Sequence, residues 1–227
     1  WPEGFTCSSG VNGIGLSLIS HLNGHNYWDD ILAIYGLHEP LGTYWGSGYY
    51  CSSLAQVQSV VSQIKQLSGG KAKIFGKLYS DTSYQGIGFA DGICDYCGVM
   101  YHPYRATNPR QFRRAQMIAD LDRDMNLIKS VPPGQTLNNF IPYLCTIHFP
   151  GAYGTGLYMP SPDEMLDGGS SIVGYTSTQG YRADGFLWYT WANNAGWIGL
   201  DQYNADGQRP GRMEAISSIG EMPRPSP

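Results

Sequence analysis

One glutamate, Glu39, has the sequence context of a general acid. It follows the nearly continuous apolar run at residues 31–37, and His38 precedes it directly. At the end of a buried strand its carboxyl would lie among aromatic side chains such as Tyr35 or Trp45, and desolvation there would raise its pKa. A carboxylic acid with a raised pKa can donate a proton near neutral pH. The alternative is a strand-end glutamate that bonds to a neighbouring loop or caps a helix.

The chemistry that such an acid supports needs a second carboxylate. Hydrolysis of a glycosidic bond uses a partner about 5 to 5.5 Å away as nucleophile, or one further away as a base for water. Asp81 is the best-placed candidate, because it follows the next strand along the chain. Asp91 and Asp95 precede a strand and would lie at its other end. For Asp81, the alternative is an ordinary turn residue.

Further histidines and aromatic residues stand at predicted strand ends and suit a carbohydrate ligand. Imidazole nitrogens can bond to sugar hydroxyls, and an aromatic ring can stack on the apolar C–H face of a pyranose. Core packing is the alternative for each aromatic residue in such a position. The candidate substrate-binding residues are His38, Trp45, Tyr101, His102, Tyr104, His148, Trp188 and Trp191.

The five cysteines allow at most two disulfides within the chain. Cys94 and Cys97 have a spacing found in metal and redox sites, but no second pair at matching spacing accompanies them, so we expect no metal site. A disulfide across a bend, or two buried thiols, is the expected state of this pair. Cys7 and Cys51 could form a second disulfide. Cys145 lies within an apolar strand, which predicts a buried, unreactive thiol rather than a nucleophile.

Strands and helices alternate in the pattern that would position these residues. Apolar runs bounded by turn residues predict strands. Apolar residues at three- and four-residue spacing behind a capping residue predict helices. The predicted strands are 31–37, 72–79, 93–101, 140–149 and 185–191, and the predicted helices begin at Ser52 or Ser53, at Asn108 and Pro109, and at the capping box of Ser161 and Glu164.

This alternation, with long loops after the strands, predicts a parallel α/β fold. One architecture is a (β/α) barrel of the TIM type, with its site at the carboxyl ends of the strands. The other is an open doubly wound sheet, in which the same residues would meet at one crevice. A nucleotide-binding sheet is disfavoured, because the glycines from Gly10 to Gly15 follow no predicted strand.

The sequence ILAIYGLHEP at residues 31–40 resembles the fourth strand of clan A glycoside hydrolases, in which an apolar strand ends in a Glu-Pro dipeptide. Later segments are similar, in the expected order, to the sixth strand (CDYCGVMYHPY, 94–104), the seventh (FIPYLCTIHF, 140–149), and the last helix and eighth strand (PSPDEM and RADGFLWYTW, within 160–191). The resemblance implies a (β/α) barrel, an acid/base role for Glu39 and contact of Trp191 with a saccharide.

Two features differ from the family pattern. Clan members carry a nucleophilic glutamate at the end of the seventh strand, where this chain has Thr146, Ile147, His148 and Phe149. Only thirty residues precede the segment that matches the fourth strand, whereas such a barrel takes about 250 residues. We therefore expect a barrel that is short or incomplete at its amino-terminal side, either completed by another chain or left with an exposed edge. The alternative function is a non-catalytic carbohydrate-binding or structural barrel that lacks the nucleophile.

Composition limits the remaining function classes. The chain has 227 residues, 42% hydrophobic and 14% charged, which suits one domain over 1–227, with 1–30 as an amino-terminal segment and 215–227 as a tail. The net charge of −4 disfavours nucleic acid as a partner, and no apolar stretch is long enough for a membrane span. Abundant Tyr, Trp, Gly and Ser are typical of secreted carbohydrate-active proteins. We expect an extracellular protein that binds carbohydrate, needs no cofactor, and forms a homo-oligomer or pairs with a second chain.

Overall fold

The computed structural model describes residues 5–6, 10–38, 51, 53–78, 93–105, 110–130, 139–146, 158–189, 203 and 205–222, and for some strand residues, such as His38, only the backbone. Two compact units divide the chain. The first comprises Trp1–Val99 and Leu127–Phe140, and the second comprises Met100–Asn126 and Ile141–Pro227. The single domain expected from the composition stays a prediction.

The first unit begins with a short hairpin and a helix. β1 (Phe5–Thr6) pairs antiparallel with β2 (Gly10–Val11), and α1 (Gly13–His25) follows. The sequence predicted no strand before the glycines from Gly10 to Gly15. This prediction is wrong, because β1 precedes them. The side chain of Asn12 accepts hydrogen bonds from the backbone N–H groups of Ile14 and Gly15 and caps the helix. The first N–H groups of α1 are thus satisfied within the chain.

The strands of the first unit's main sheet are parallel. β3 (Ile34–His38) pairs with β4 (Ile74–Leu78), and β4 pairs with the first part of β5 (Tyr96–Tyr101). Between β3 and β4 lies α2 (Leu54–Leu67), which begins behind the predicted N-cap Ser53. The middle of the predicted apolar face of α2 is buried, with Val57, Val61 and Ile64 at most 3% exposed, whereas Leu67 at its end is 42% exposed. A buried helix between parallel neighbours is the expected α/β connection.

The second unit has parallel pairing of its own. Met100 and Tyr101, at the end of β5, pair with β9 (Tyr143–Cys145), and β9 pairs with β10 (Leu187–Tyr189). A short antiparallel pair is formed by β6 (Tyr104–Arg105) and β7 (Gln111–Phe112). In the first unit, the two-residue β8 (Asn139–Phe140) runs parallel to the start of β5. The parallel α/β class is thus confirmed, while the closed barrel stays a prediction.

Three helices belong wholly or mainly to the second unit: α3 (Arg114–Lys129), α4 (Pro162–Val173) and α5 (Arg209–Gly220). α4 has the predicted capping box, in which Ser161 and Glu164 bond to each other's backbone N–H groups. Met159, Met165 and Ala215 form a buried cluster between this helix and α5. α1 and α5 were not predicted from the sequence, and residues 215–220 of the expected tail are helical.

Two predicted boundaries are wrong. The helix expected to begin at Asn108 and Pro109 begins at Arg114, because Gln111 and Phe112 pair with β6 instead. The strand expected over 140–149 is interrupted after Phe140 and resumes at Tyr143. Pro142 lies in this break, and its ring nitrogen has no hydrogen to donate to a neighbouring strand.

The cysteines follow the expected pattern where they are described. Cys94 and Cys97 form a disulfide, and Cys51 is also disulfide-bonded. Its predicted partner, Cys7, lies outside the described residues. Cys145 is a buried thiol, as expected. No helix within the described ranges is long and apolar enough to cross a membrane.

Candidate functional site

The carboxyl ends of β3 and β4 meet at one edge of the first unit. The two strands are parallel, and His38, the last residue of β3, lies opposite Lys77. β4 ends one residue later at Leu78, which lies opposite Val99 of β5. Glu39 and Asp81, the two candidate carboxylates, follow these strands in the sequence. They lie outside the described residues, as does Trp45.

In the second unit, three residues on adjacent strands form one row across the sheet. Tyr101 of β5 lies opposite Leu144 of β9, which lies opposite Trp188 of β10. Side chains in one row of a parallel sheet project from the same face. Tyr101 and Trp188 were both predicted to bind substrate.

Tyr101 is part of a buried hydrogen-bond network with α3. Its hydroxyl donates to Asp124 Oδ2 at 3.0 Å, and Arg123 Nε donates to Asp124 Oδ1 at 2.9 Å. Tyr101 is 3% exposed. Burial, together with the nearby charge of Asp124, raises the pKa of the Tyr101 phenol well above its usual value, so the phenol stays protonated. The ring packs under α3 and has no face open to a sugar.

Trp188 and Tyr104 pack against α4. Trp188 is half-buried beside the Met159, Met165 and Ala215 cluster. Tyr104 is 1% exposed, stacks on Phe112 with ring centroids 5.1 Å apart, and donates its hydroxyl to the Glu164 carbonyl at 3.2 Å. Tyr101 and Tyr104 are thus buried in the core and Trp188 is half-buried, while the substrate-binding role of all three stays a prediction.

The opposite face of β10 is open. Leu187, one residue before Trp188, is 48% exposed. Because side chains alternate along a strand, residues with the parity of Leu187 point away from the α4 side. His102, which follows β5, is half-buried. His148 and Trp191 lie outside the described residues.

A polar cluster that was not predicted from the sequence lies at the start of α4. Tyr158 donates to Glu164 Oε1 at 2.6 Å, and the guanidinium of Arg110 lies 3.7 Å from the centre of the Tyr158 ring. The backbone N–H of Ser161 donates to Glu164 Oε2 at 2.8 Å. Burial, with Glu164 beside it, raises the pKa of Tyr158 above its usual value. In the sequence, only the capping-box motif indicated a role for Glu164. Its carboxylate accepts a hydrogen bond from the Ser161 N–H and so caps the start of α4.

No group of three or more histidine, cysteine, aspartate or glutamate side chains within the described ranges could hold a metal ion. In the first unit, the described part of the candidate site is the edge at which β3 and β4 end, with His38 as the last residue of β3. No protein-family model matches the chain. Likewise, no curated protein matches it.

Proposed function

We propose that this protein is a secreted, glycoside hydrolase-like (β/α) barrel that binds a carbohydrate at the carboxyl ends of its strands. Glu39 is the proposed general acid/base, and Asp81 is the proposed partner carboxylate. A glutamic acid at such an edge can protonate the leaving oxygen of a glycosidic bond, and a second carboxylate can act as nucleophile or activate water.

The register of β3 and β4 is the observation that supports this proposal best. His38, which directly precedes Glu39, lies opposite Lys77, and β4 ends at the next residue, Leu78. In parallel α/β folds the chain segments that follow neighbouring strands gather at one edge, where catalytic residues lie. Glu39 and Asp81 both belong to such segments.

Tyr101 and Tyr104 are buried, which favours the other candidates as sugar contacts. These are His38, Trp45, His102, His148, Trp188 and Trp191. Trp191 has the same parity as Leu187, which is 48% exposed on the face away from α4.

A non-catalytic carbohydrate-binding or structural barrel is the second candidate function. Thr146, which follows β9, is fully buried, and no carboxylate occurs at residues 146–149. A retaining enzyme would place its nucleophile in this segment, as the resemblance implies. Because residues 146–149 contain no such carboxylate, the sequence favours binding of carbohydrate without turnover.

The barrel and its partners are also proposals. β3, β4, β5, β9 and β10 are parallel, whereas a TIM barrel has eight strands. Residues outside the described ranges, a second copy of the chain or another chain would supply the others. The disulfide between Cys94 and Cys97 is consistent with secretion, because disulfides persist in oxidising compartments.

The first prediction concerns Glu39→Gln, tested on a panel of aryl glycosides and oligosaccharides. Loss of the proton donor should lower kcat by roughly 10²- to 10⁴-fold. Far-UV circular dichroism should be unchanged, and calorimetry should still detect binding of the best substrate. Glu214→Gln is the matched control, because Glu214 is exposed on α5 and should leave kcat unaltered.

The outcomes separate the two functions. Hydrolysis that depends on Glu39 supports the enzyme. Binding by the wild-type protein without turnover supports the non-catalytic barrel. Equal kcat in Glu39→Gln and wild type would exclude Glu39 as the acid, and absence of both binding and turnover would overturn the carbohydrate assignment.

A further inference from the structure

We propose that His21 and His25 form a surface site for a divalent late transition-metal ion, with Cu²⁺ the preferred ion. The site lies on α1. This helix precedes, in the sequence, every residue proposed to bind carbohydrate. It uses two of the five histidines of the chain.

The helix places the two imidazoles side by side. His21 and His25 are four residues apart in α1 (Gly13–His25), and both are exposed. Side chains at this spacing lie on the same face of a helix, one turn apart. Their ring centroids are 4.6 Å apart, so both rings can turn nitrogen atoms toward one point in solvent.

This separation matches two adjacent ligands on one ion. With a metal–nitrogen bond of about 2.0–2.1 Å, the ion would lie about 3.2 Å from each ring centre. Two ring centres 4.6 Å apart then subtend an angle of roughly 90° at the ion. That angle is the one between neighbouring ligands in the tetragonal geometry of Cu²⁺ and Ni²⁺.

The surroundings leave room for the other ligands. A shallow surface hollow is lined by Ser17, Ser20 and Gly24 together with the two histidines. These small side chains leave the outer coordination positions to water. The Tyr27 ring stacks on His25 with centroids 5.2 Å apart and ring planes 15° apart, and its centroid lies 5.8 Å from that of His21, so it restrains the imidazole of His25.

The end of α1 favours a cation, although the Lys71 ammonium donates to Asn26 Oδ1 at 3.1 Å just beyond the helix. α1 contains no lysine, arginine or acidic residue, and His25 is its last residue. The carboxyl end of a helix carries a partial negative charge, which attracts cations. Among divalent ions of the first transition row, two imidazoles bind Cu²⁺ most tightly, followed by Ni²⁺ and Zn²⁺.

The test is titration of the metal-free full chain with CuCl₂ in a non-coordinating buffer, followed by calorimetry and electron paramagnetic resonance. The variants are His21→Gln, His25→Gln and the double variant. Glutamine keeps a high helix propensity at these exposed positions, and circular dichroism checks the fold. His102→Gln is the matched control, because it removes one histidine elsewhere.

We expect one tightly bound Cu²⁺ per chain, with hyperfine coupling to two nitrogens. Each single substitution should weaken the affinity about tenfold or more, because the second imidazole binds at a high effective concentration once the first is bound. The double variant should lose the two-nitrogen signal, and His102→Gln should keep it. Retention of the signal in the double variant, or an unchanged affinity in both single variants, would overturn the proposal.

Discussion

Two glycines in the middle of α4 allow the helix to lie close to the side chains of the sheet. A Cβ atom at Gly168 would lie 2.5 Å from the Tyr104 hydroxyl and 3.0 Å from Leu144 Cδ1. At Gly169 it would meet Ile219 Cδ1 and lie 3.1 Å from Trp188 Cζ2. Glycine weakens a helix by about 1 kcal/mol relative to alanine, so close packing is the physical reason for both residues.

The substitution Gly168→Ala should therefore lower the free energy of unfolding. Overpacking a buried site costs about 1–3 kcal/mol, and the gain in helix propensity offsets about 1 kcal/mol of that. Gly24→Ala is the matched control, because a Cβ there meets nothing within 4 Å, so it should stabilise the protein by about 0.5–1 kcal/mol. Urea unfolding of the two variants measures both effects, and a stabilising Gly168→Ala would contradict the close contact.

Tyr101 and Trp188 show why the surroundings of a candidate site residue could be predicted only in part from the sequence. The sequence located the ends of β5 and β10 well enough to single out Tyr101 and Trp188. For β5 it could not decide which face Tyr101 occupies, because a strand buried on both sides shows no alternation of polar and apolar residues. A shift of one position exchanges the two faces, and the register with Leu144 places both rings on the helix side.

Among the elements, α3 is tied to the segment that follows α4 by one carboxylate. Asp122 Oδ1 accepts hydrogen bonds from the Thr178 N–H at 2.7 Å and the Tyr175 hydroxyl at 3.0 Å. Its Oδ2 accepts from the Thr178 hydroxyl at 2.8 Å and Asn126 Nδ2 at 3.0 Å. Desolvation acts to raise the pKa of Asp122, but these hydrogen bonds outweigh it and lower the pKa below the usual value.

A lowered pKa in the folded state fixes the sign of the pH effect. The unfolded chain binds a proton at Asp122 more readily than the folded chain does, so this contribution to stability is present above about pH 4 and is lost as the pH falls further. Asp122→Asn should lower the free energy of unfolding by about 0.5–1.5 kcal/mol at pH 7, because these hydrogen bonds lie near the surface, where solvent screens the charge. The difference from wild type should shrink at pH 3.

Urea unfolding at the two pH values measures this difference. Asp163→Asn, at an exposed position in the first turn of α4, is the control and should change stability by less than about 0.5 kcal/mol. A difference between Asp122→Asn and wild type that is equal at pH 7 and pH 3 would show that the carboxylate charge does not carry the stabilisation.

Elements with strong local signals were predictable, and elements without them were not. α2 and α4 have capping serines and well-formed apolar faces, and both begin where the sequence predicted. α1 exposes Ile14, Leu16 and Leu18, which blurs its apolar face. α5 buries Arg212, whose guanidinium pairs with Asp206 and bonds to the Pro160 carbonyl. A buried arginine with distant partners leaves no pattern in a single sequence.

At the scale of the whole molecule, two elements contribute residues to both compact units. β5 (Tyr96–Tyr101) has its first four residues in the first unit and its last two in the second, and α3 has its last three residues in the first. Each unit is therefore built from separate stretches of the chain. A helix forms and melts cooperatively along its length, so the shared α3 couples the folding of the two sets of residues.

This coupling predicts a single unfolding transition, although chains longer than about 150 residues often unfold through intermediates. In native-state hydrogen exchange with added urea, α2 in the first unit and α4 in the second should open with the same limiting free energy. Terminal helix residues serve as an internal control, because they exchange by local fraying. Two separate limiting values, with α2 and α4 opening at different urea concentrations, would show that the chain folds as two independent domains and would contradict the single domain expected from its composition.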